Sequence, residues 1–292
     1  MTNAMNTIGV VGAGQMGGGI AQVAAQAGLD VVVMESNAAQ IDKCRALREK
    51  LLARAVEKNR MSQQDANAVA DRITYAQDLE ALAGVDWVVE AIVEDAKVKG
   101  ELFGALASMF AAQEKQHVVL ASNTSSISIT QIAAAAKGAE DRVVGMHFFN
   151  PVPVMKLVEV VKGLQTTDAV VERTIALAEH MGKTPLKAND RAGFVSNRVL
   201  MPLINEAFYA WMEGVAEPEA IDGIMTLGCN HPMGPLRLAD FIGLDTCLHI
   251  MNVLHRELGD PKHRPCPLLK TLVAAGRLGD KTGHGVFDYT SK

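Results

Sequence analysis

Residues 7–35 read TIGVVGAGQMGGGIAQVAAQAGLDVVVME, which is an apolar run, a glycine-rich turn, a helical pattern and a second apolar run. Gly12, Gly14 and Gly17 lie between the first run and the helical pattern. In such a strand-turn-helix unit the first glycine permits the tight turn, the second lets the backbone approach a pyrophosphate, and the third allows close helix packing. The helix N-terminus adds N–H donors and a positive dipole end. The stretch therefore predicts the phosphate-binding part of a dinucleotide site.

Glu35 ends the second apolar run, about 20 residues after the glycines, where an acid can bind the adenosine ribose hydroxyls. Ser36 and Asn37 follow it, whereas an NADP site needs an arginine near this point to meet the 2′-phosphate. The carboxylate repels that phosphate. The predicted cofactor is therefore NAD.

The alternation of apolar and helical stretches continues through the first two thirds of the chain. Continuous apolar strands separated by helices indicate strands that are buried on both faces, and hence a mostly parallel sheet with helices on each side. Residues 156–161 and 184–187 are predicted as added strands at the far edge of this sheet. The fold class is α/β.

The pattern changes near residue 190, beyond which strand patterns disappear until VFDY at residues 286–289. We therefore predict two domains, residues 1–189 with the sheet and residues 190–292 with helices only. One predicted helix, residues 194–213, is apolar over nearly its whole surface, so it is expected to be central or to lie in a subunit interface. The other helices predicted in this domain span residues 217–227, 244–258 and 267–275.

Composition excludes several functional classes. The 292 residues are 49% hydrophobic, which is enough for one large or two medium globular cores. The net charge of −5 disfavours a general nucleic-acid or anionic-membrane surface. The apolar runs are shorter than the roughly 20 residues that span a bilayer, and the opening MTNAMNT lacks the basic start of a signal peptide. We expect no nucleic-acid partner and no membrane insertion.

Cysteine and histidine spacing bears on compartment and metals. The four cysteines lie far apart without a CxxC pair, which fits free thiols in a reducing cytoplasm. The histidines form no HxxxH or other metal spacing, so no catalytic metal is predicted.

Five motifs occur in order along the chain: GAGQMG, VVEAIVEDAKVKGELF, ASNTSSISI, HFFNPVPVMKLVEV and DRAGFVSNRVLMPLINEA. Together they resemble the L-3-hydroxyacyl-CoA dehydrogenases, most closely the bacterial 3-hydroxybutyryl-CoA dehydrogenase type, and the likeness extends to the closing KTGHGVFDY. The resemblance implies a Rossmann-like NAD-binding domain and a helical C-terminal domain that binds the acyl-CoA thioester and forms a homodimer. It also implies NAD-dependent interconversion of a short-chain (S)-3-hydroxyacyl-CoA and its 3-oxoacyl partner.

The resemblance assigns roles to single residues. His147 matches the family's catalytic base and Glu159 its partner carboxylate. Ser125 and Asn197 match the polar groups that help hold the substrate, and the adjacent Ser126 is an alternative to Ser125. Five further positions match residues that contact or border the cofactor: Glu94, Lys99, Asn123, Asn150 and Lys281.

The residue types suit this chemistry. Removing hydride from a secondary alcohol requires the hydroxyl proton to leave, and near neutral pH an imidazole such as His147 is best matched to accept it. A carboxylate on the second ring nitrogen fixes the ring and stabilises the imidazolium. Glu159 can supply this carboxylate if NPVPVM folds the two strand ends together, and the prolines then limit misplacement.

A cationic face on the helix after Glu35 is a candidate for the coenzyme A phosphates. Lys43, Lys50, Arg54 and Lys58 follow one another at helical spacing, and Lys58 is the best single candidate. Such a face is more often only solvated.

Two other functions stay open from the residues. A dehydrogenase of a free hydroxy acid shares the scaffold, and a catalytically silent NAD-binding protein belongs to another class. The intact pair His147 and Glu159 counts against the silent protein.

Overall fold

The computed structural model describes residues 6–290. The chain divides into two compact units, one ending at Asp190 and the other beginning at Arg191. The expectation of no signal peptide rests on MTNAMNT, whose first five residues lie outside the described range. No helix of the described residues is long and apolar enough to cross a membrane.

One eight-stranded sheet organises the first unit. Its strands in chain order are β1 Thr7–Val11, β2 Asp30–Met34, β3 Ile73–Ala76, β4 Trp87–Glu90, β5 Val119–Ser122, β6 Val143–Phe148, β7 Leu157–Lys162 and β8 Thr184–Asn189. The spatial order is β3-β2-β1-β4-β5-β6-β7-β8, and every pair is parallel except the antiparallel pair β6 and β7. The predicted α/β class with a mostly parallel sheet is confirmed, and the added strands lie at the far edge as expected.

The described residues of this unit form six α-helices: α1 Gln15–Gln26, α2 Ala38–Glu57, α3 Gln63–Asp71, α4 Ala96–Ala112, α5 Ile129–Ala135 and α6 Asp168–His180. Strands β4, β5 and β6 are buried at every residue, because helices cover a parallel sheet on both faces. Four helices begin where a side-chain oxygen accepts a hydrogen bond from the backbone of the first turn, which satisfies an otherwise unpaired N–H donor. These N-caps are Asn37, Ser62, Asp95 and Ser128.

The second unit is helical, with α7 Ser196–Met212, α8 Pro218–Cys229, α9 Pro235–Ile242, α10 Leu244–Leu258 and α11 Pro267–Ala274. Its core includes Phe208 and Leu254, which are fully buried. The strand pattern VFDY forms no strand and contributes only an isolated bridge between His284 and Asp288, so the prediction of a helical C-terminal domain is confirmed.

Helix α7 differs from its prediction in two ways. It begins two residues later than expected, since Gly193 and Phe194 adopt left-handed φ values of 76° and 49°. It is also not buried all round within its unit: Phe208 is fully buried, whereas 66% of Val199 is exposed. The prediction that this helix is buried on all sides at the centre of its unit is therefore wrong, because one face is exposed. The alternative, that this face lies in a subunit interface, stays a prediction.

Candidate active site

The glycine turn after β1 is built as its sequence predicts. Gly12 has φ 103°, and a Cβ on it would lie 2.6 Å from the carbonyl oxygen of Ala91. A Cβ on Gly17 would lie 1.9 Å from the carbonyl oxygen of Gly12, so only glycine allows α1 to start this close to the strand. A Cβ on Gly14 would meet nothing within 4 Å, which leaves its backbone open to a ligand.

Glu35 faces this turn. Its carboxylate accepts hydrogen bonds from the backbone N–H groups of Ala13, at 3.1 Å, and Asn37, at 3.0 Å. A cleft of about 710 Å³ is lined by Gly12, Gly14, Glu35 and the loop after β4, among other residues. The glycine turn and the acid that the sequence predicts to bind pyrophosphate and ribose therefore border one cleft at the carboxyl edge of the sheet, where open α/β folds bind ligands.

His147 and Glu159 face each other across the antiparallel pair β6 and β7. The imidazole Nδ1 lies 2.7 Å from Glu159 Oε2, and the exposed fractions of the two residues are only 7% and 4%. The Phe149 ring packs on the imidazole with 4.6 Å between the ring centroids. The NPVPVM segment, which contains a cis Asn150–Pro151 bond, joins the two strands. The structure thus brings together the two residues that are 12 positions apart in sequence.

Lys183 holds the NPVPVM segment. Its ammonium donates to the carbonyl oxygens of Val152 at 2.5 Å and Met155 at 2.9 Å. Burial lowers the pKa of this ammonium. Sequence reasoning missed this contact, because a lone lysine between α6 and β8 has no pattern that distinguishes it from a solvated one.

Glu94 lies just before α4 and organises the NTSS turn after β5. Its Oε1 accepts hydrogen bonds from Thr124 Oγ1 at 2.6 Å, from the Ser125 N–H at 3.0 Å and from the Ser126 N–H at 3.1 Å. Burial raises the pKa of the Glu94 carboxyl, but the Lys99 ammonium and the hydrogen bonds from the turn outweigh burial and hold this pKa below its usual range. In the structure, Glu94 is thus a support of the turn.

The two candidate serines differ in their surroundings. Ser126 is buried, and its hydroxyl lies 2.9 Å from Glu94 Oε1. The Ser125 side chain is partly exposed, with its Oγ 3.4 Å from the same oxygen. This difference favours Ser125 over Ser126 as the candidate for substrate contact, and that role stays a prediction.

Lys99 is buried between two carboxylates. Its Nζ lies 2.5 Å from Glu90 Oε1 and 3.3 Å from Glu94 Oε2. Sequence reasoning missed Glu90, the fully buried last residue of β4. The pattern WVVEAIV contained the clue, since an acid inside a buried strand needs a charged partner.

The two candidate asparagines of the first unit tie its loops together. Asn123 Oδ1 accepts from the Phe148 N–H at 2.8 Å, directly after His147. Asn150 Oδ1 accepts from the Gln15 side chain at 3.0 Å, at the start of α1. Both therefore lie at the edge of the sheet that carries the glycine turn and His147.

Comparisons with known proteins give the family. The model of the 3-hydroxyacyl-CoA dehydrogenase NAD binding domain matches residues 7–191, and that of the family's C-terminal domain matches residues 193–289. The chain belongs to the 3-hydroxyacyl-CoA dehydrogenase family. The resemblance seen in the motifs is thereby confirmed, as is NAD as the cofactor.

The similar proteins cover nearly the whole chain. A probable 3-hydroxybutyryl-CoA dehydrogenase of Deinococcus radiodurans is 55% identical over 96% of this chain and 99% of its own length. The 3-hydroxybutyryl-CoA dehydrogenase of Bradyrhizobium diazoefficiens is 47% identical over 99% and 97%. The crystal structure of (S)-3-hydroxybutyryl-CoA dehydrogenase from Ralstonia eutropha has a TM-score of 0.92 at 45% identity and covers 98% of this chain and 100% of its own.

The remaining candidate residues of this dehydrogenase lie at the end of α2 and in the second unit. Lys58 caps the C-terminal end of α2 and is exposed. Asn197 is buried in the first turn of α7, and the Lys281 ammonium pairs with Asp245 at 2.6 Å, both in the second unit. Their roles stay predictions. Among residues 6–290, no group of three or more His, Cys, Asp or Glu side chains could hold a metal ion.

Proposed function

We propose that this dehydrogenase interconverts a short-chain (S)-3-hydroxyacyl-CoA and its 3-oxoacyl-CoA with NAD, using 3-hydroxybutyryl-CoA and acetoacetyl-CoA. The observation that carries the proposal is the buried pair of His147 and Glu159 on the sheet edge that also bears the dinucleotide cleft. The names of the similar proteins support the substrate class. We place the enzyme in the cytoplasm, with residues 1–189 binding NAD and residues 190–292 binding substrate and forming the dimer.

The glycine turn fits a pyrophosphate, since the positions of Gly12 and Gly17 have no room for a side chain and Gly14 borders open space. We assign the diphosphate to these glycines and the adenosine ribose to Glu35. Glu94, Lys99, Asn123, Asn150 and Lys281 are proposed to contact or border the nicotinamide half. When bound, NAD accepts the hydride of the alcohol carbon.

His147 is proposed to accept the substrate hydroxyl proton. Because Nδ1 is engaged by Glu159, this proton transfer is assigned to Nε2. The Glu159 carboxylate holds the ring orientation and stabilises the imidazolium once the proton has arrived. The apolar surroundings of the pair, including Phe149, exclude water and strengthen the interaction between the two charges.

Ser125 and Asn197 are proposed to donate hydrogen bonds to the developing alkoxide or the thioester oxygen. We expect Asn197→Ala to lower kcat/KM for acetoacetyl-CoA by about tenfold or more, because a lost donor to developing charge costs transition-state stabilisation. Steady-state kinetics with NADH check this, with Asn252→Ala on exposed α10 surface as the control. Unchanged kinetics of Asn197→Ala would remove this residue from the site.

Glu35 is expected to select NADH over NADPH by about 100-fold in kcat/KM, since like charges brought together cost several kcal/mol. Glu35→Gln keeps the hydrogen-bond acceptor and removes the charge, and should narrow this ratio about tenfold. The measurement is kcat/KM with both coenzymes, and Glu49→Gln on exposed α2 surface is the matched control. A wild-type preference for NADPH contradicts the role of Glu35.

A homodimer through the second unit is proposed from its exposed apolar side chains. The exposed fraction is 91% for Leu227 and 66% for Val199. Exposed apolar side chains of this kind mark interaction surfaces when they form larger patches, and contact with a second copy would remove them from water. We expect Leu227→Glu to shift the protein toward monomer at micromolar concentration in sedimentation velocity. The control is Leu164→Glu, at an 81% exposed leucine of the first unit. A monomeric wild type contradicts the proposal.

Coenzyme A recognition is proposed for the exposed cations of α2, with Lys58 the foremost. The side chains of Lys43 and Leu47 line a second cleft of about 450 Å³ together with the NPVPVM segment. Lys43 thus belongs both to the cations of α2 and to the lining of this cleft, which supports a thioester rather than a free acid as the substrate.

The deciding experiment follows NADH oxidation at 340 nm with acetoacetyl-CoA, and in parallel with acetoacetate that lacks coenzyme A. Turnover with the thioester and none with the free acid supports the proposal. Turnover with the free acid alone favours a hydroxy-acid dehydrogenase. NADH binding without turnover of either compound favours a silent binding protein.

A further inference from the structure

Glu90 is a fully buried acid at the carboxyl edge of the sheet, and the proposed chemistry does not use it. As the last residue of β4, it lies in register with Ser122 of β5. Its Oε1 accepts from the Lys99 ammonium at 2.5 Å and from the Ile92 N–H at 2.7 Å, and its Oε2 accepts from Ser122 Oγ at 2.6 Å. Glu90 thus joins the strand, the loop that lines the cofactor cleft, and α4.

Glu90, Lys99 and Glu94 form a cluster of three charges that differ in burial. Glu90 and Lys99 have 0% and 1% exposed side chains, while 29% of the Glu94 side chain is exposed. A buried ammonium is stable only with a partner of opposite charge. Glu90 meets Lys99 at 2.5 Å, whereas the contact between Lys99 and Glu94 is longer, at 3.3 Å. Glu94 is thereby left to the NTSS turn, where its Oε1 accepts four hydrogen bonds within 3.1 Å, from the Thr124 hydroxyl, the Ser125 N–H, and the N–H and hydroxyl of Ser126.

The backbone reinforces the same connection. The carbonyl oxygen of Glu90 accepts from the Asn123 N–H at 2.8 Å. Asn123 in turn accepts from the Phe148 N–H through its side chain. A shift at Glu90 therefore reaches both the turn that carries Ser125 and the strand end that carries His147.

We propose that Glu90 is a positioning residue: by holding Lys99, it keeps Glu94 on the NTSS turn and so places Ser125 for the substrate carbonyl. The Glu90→Gln change preserves the shape and the acceptor oxygen but removes the charge. Lys99 then has Glu94 as its only anion in this cluster and draws it away from the turn. This inference rests on the proposed function for the identity of the substrate, but not for the placement of the turn.

Two measurements test the proposal on the intact protein. The first determines both kcat for acetoacetyl-CoA reduction and the Kd of NADH. The second is amide hydrogen exchange in peptides that cover residues 123–127. We expect Glu90→Gln to lower kcat by about tenfold or more, since small misplacements of a positioned group have such effects. The Kd of NADH should change less than kcat does, because the glycine turn and Glu35, which are proposed to hold the diphosphate and the ribose, are unaltered. Exchange of the turn amides should accelerate.

Two variants separate positioning from mere stability. Arg142→Met removes another buried charge, whose guanidinium donates to the carbonyl oxygen of Val118 at the opposite edge of the sheet. It should lower the melting temperature yet keep wild-type kcat and exchange at the turn. In a Lys99→Met background, adding Glu90→Gln should leave kcat unchanged within about twofold, because coupled residues do not act additively.

The outcomes are distinct. The proposal is overturned if Glu90→Gln keeps the wild-type kcat and the wild-type exchange rate of the turn amides. It is also overturned if adding Glu90→Gln to Lys99→Met lowers kcat as much as Glu90→Gln does in the wild type. If the wild type does not reduce acetoacetyl-CoA but Glu90→Gln still accelerates amide exchange in the turn, the positioning role is supported. In that case only the proposed function is contradicted. If Glu90→Gln does not fold, Glu90→Asp, which keeps the charge and shortens the side chain, should show the same losses, and wild-type behaviour of that variant overturns the proposal.

Discussion

His147→Ala is expected to lower kcat for acetoacetyl-CoA reduction by about 10²–10⁴-fold, the usual contribution of a positioned general acid or base. The imidazole is the only titratable ring beside Glu159 in the register of β6 and β7, so no neighbour on these strands replaces it. The Kd of NADH should stay near the wild-type value, because the glycine turn and Glu35 are unaltered. Stopped-flow reduction and NADH fluorescence titration give the two values.

Two controls accompany this variant. His117→Ala changes an exposed histidine that precedes β5 and should keep wild-type kcat. His147→Asn keeps a side-chain donor for the buried Glu159 carboxylate, and so tests the chemistry with less loss of stability. Activity of His147→Asn within about threefold of the wild type would assign the proton transfer to another group.

Glu159→Gln is expected to lower kcat by a comparable factor, about 10²–10⁴-fold. In the Ser-His-Asp triad the equivalent amide substitution costs about 10⁴-fold, because the amide permits the wrong tautomer and no longer stabilises the imidazolium. The same physical reason holds here, since Nδ1 meets Glu159 Oε2 at 2.7 Å inside the protein. The loss should appear in kcat with acetoacetyl-CoA at saturating NADH.

The matched control is Glu172→Gln on α6, whose carboxylate forms an exposed ion pair with Lys187. Exposed pairs of this kind contribute little, so its kcat and melting temperature should stay close to those of the wild type. A Glu159→Gln enzyme with wild-type kcat would mean that the carboxylate only fills space beside His147.

The sites that sequence reasoning missed share a cause. Lys183 contacts residues that are 28 and 31 positions away in the sequence. Glu90 contacts residues that are 9 and 32 positions away. The local periodicity of the sequence does not predict such contacts. The apolar pattern of the sequence does not predict strand β3 either, because four residues at the edge of a sheet, only one of them buried, produce no apolar run.

Local chemistry let the sequence alone determine much about this protein. Apolar runs that alternate with helical patterns require a sheet covered on both faces, which determined the α/β class. The glycine spacing determined the turn, because a Cβ at Gly12 or Gly17 collides with the backbone. Glu35 predicted NAD as the cofactor, because the position of this acid within the strand-turn-helix unit can be read from the local sequence.

Only the tertiary structure decided which polar groups meet. The antiparallel register of β6 and β7 brings the His147 imidazole to the Glu159 carboxylate, and a slip of one residue would turn the two side chains to opposite faces. The buried contacts among Glu90, Lys99 and Glu94 decided that Glu94 supports the NTSS turn. Such pairings depend on the packing of distant segments, because a buried charge takes its partner from wherever the fold places one.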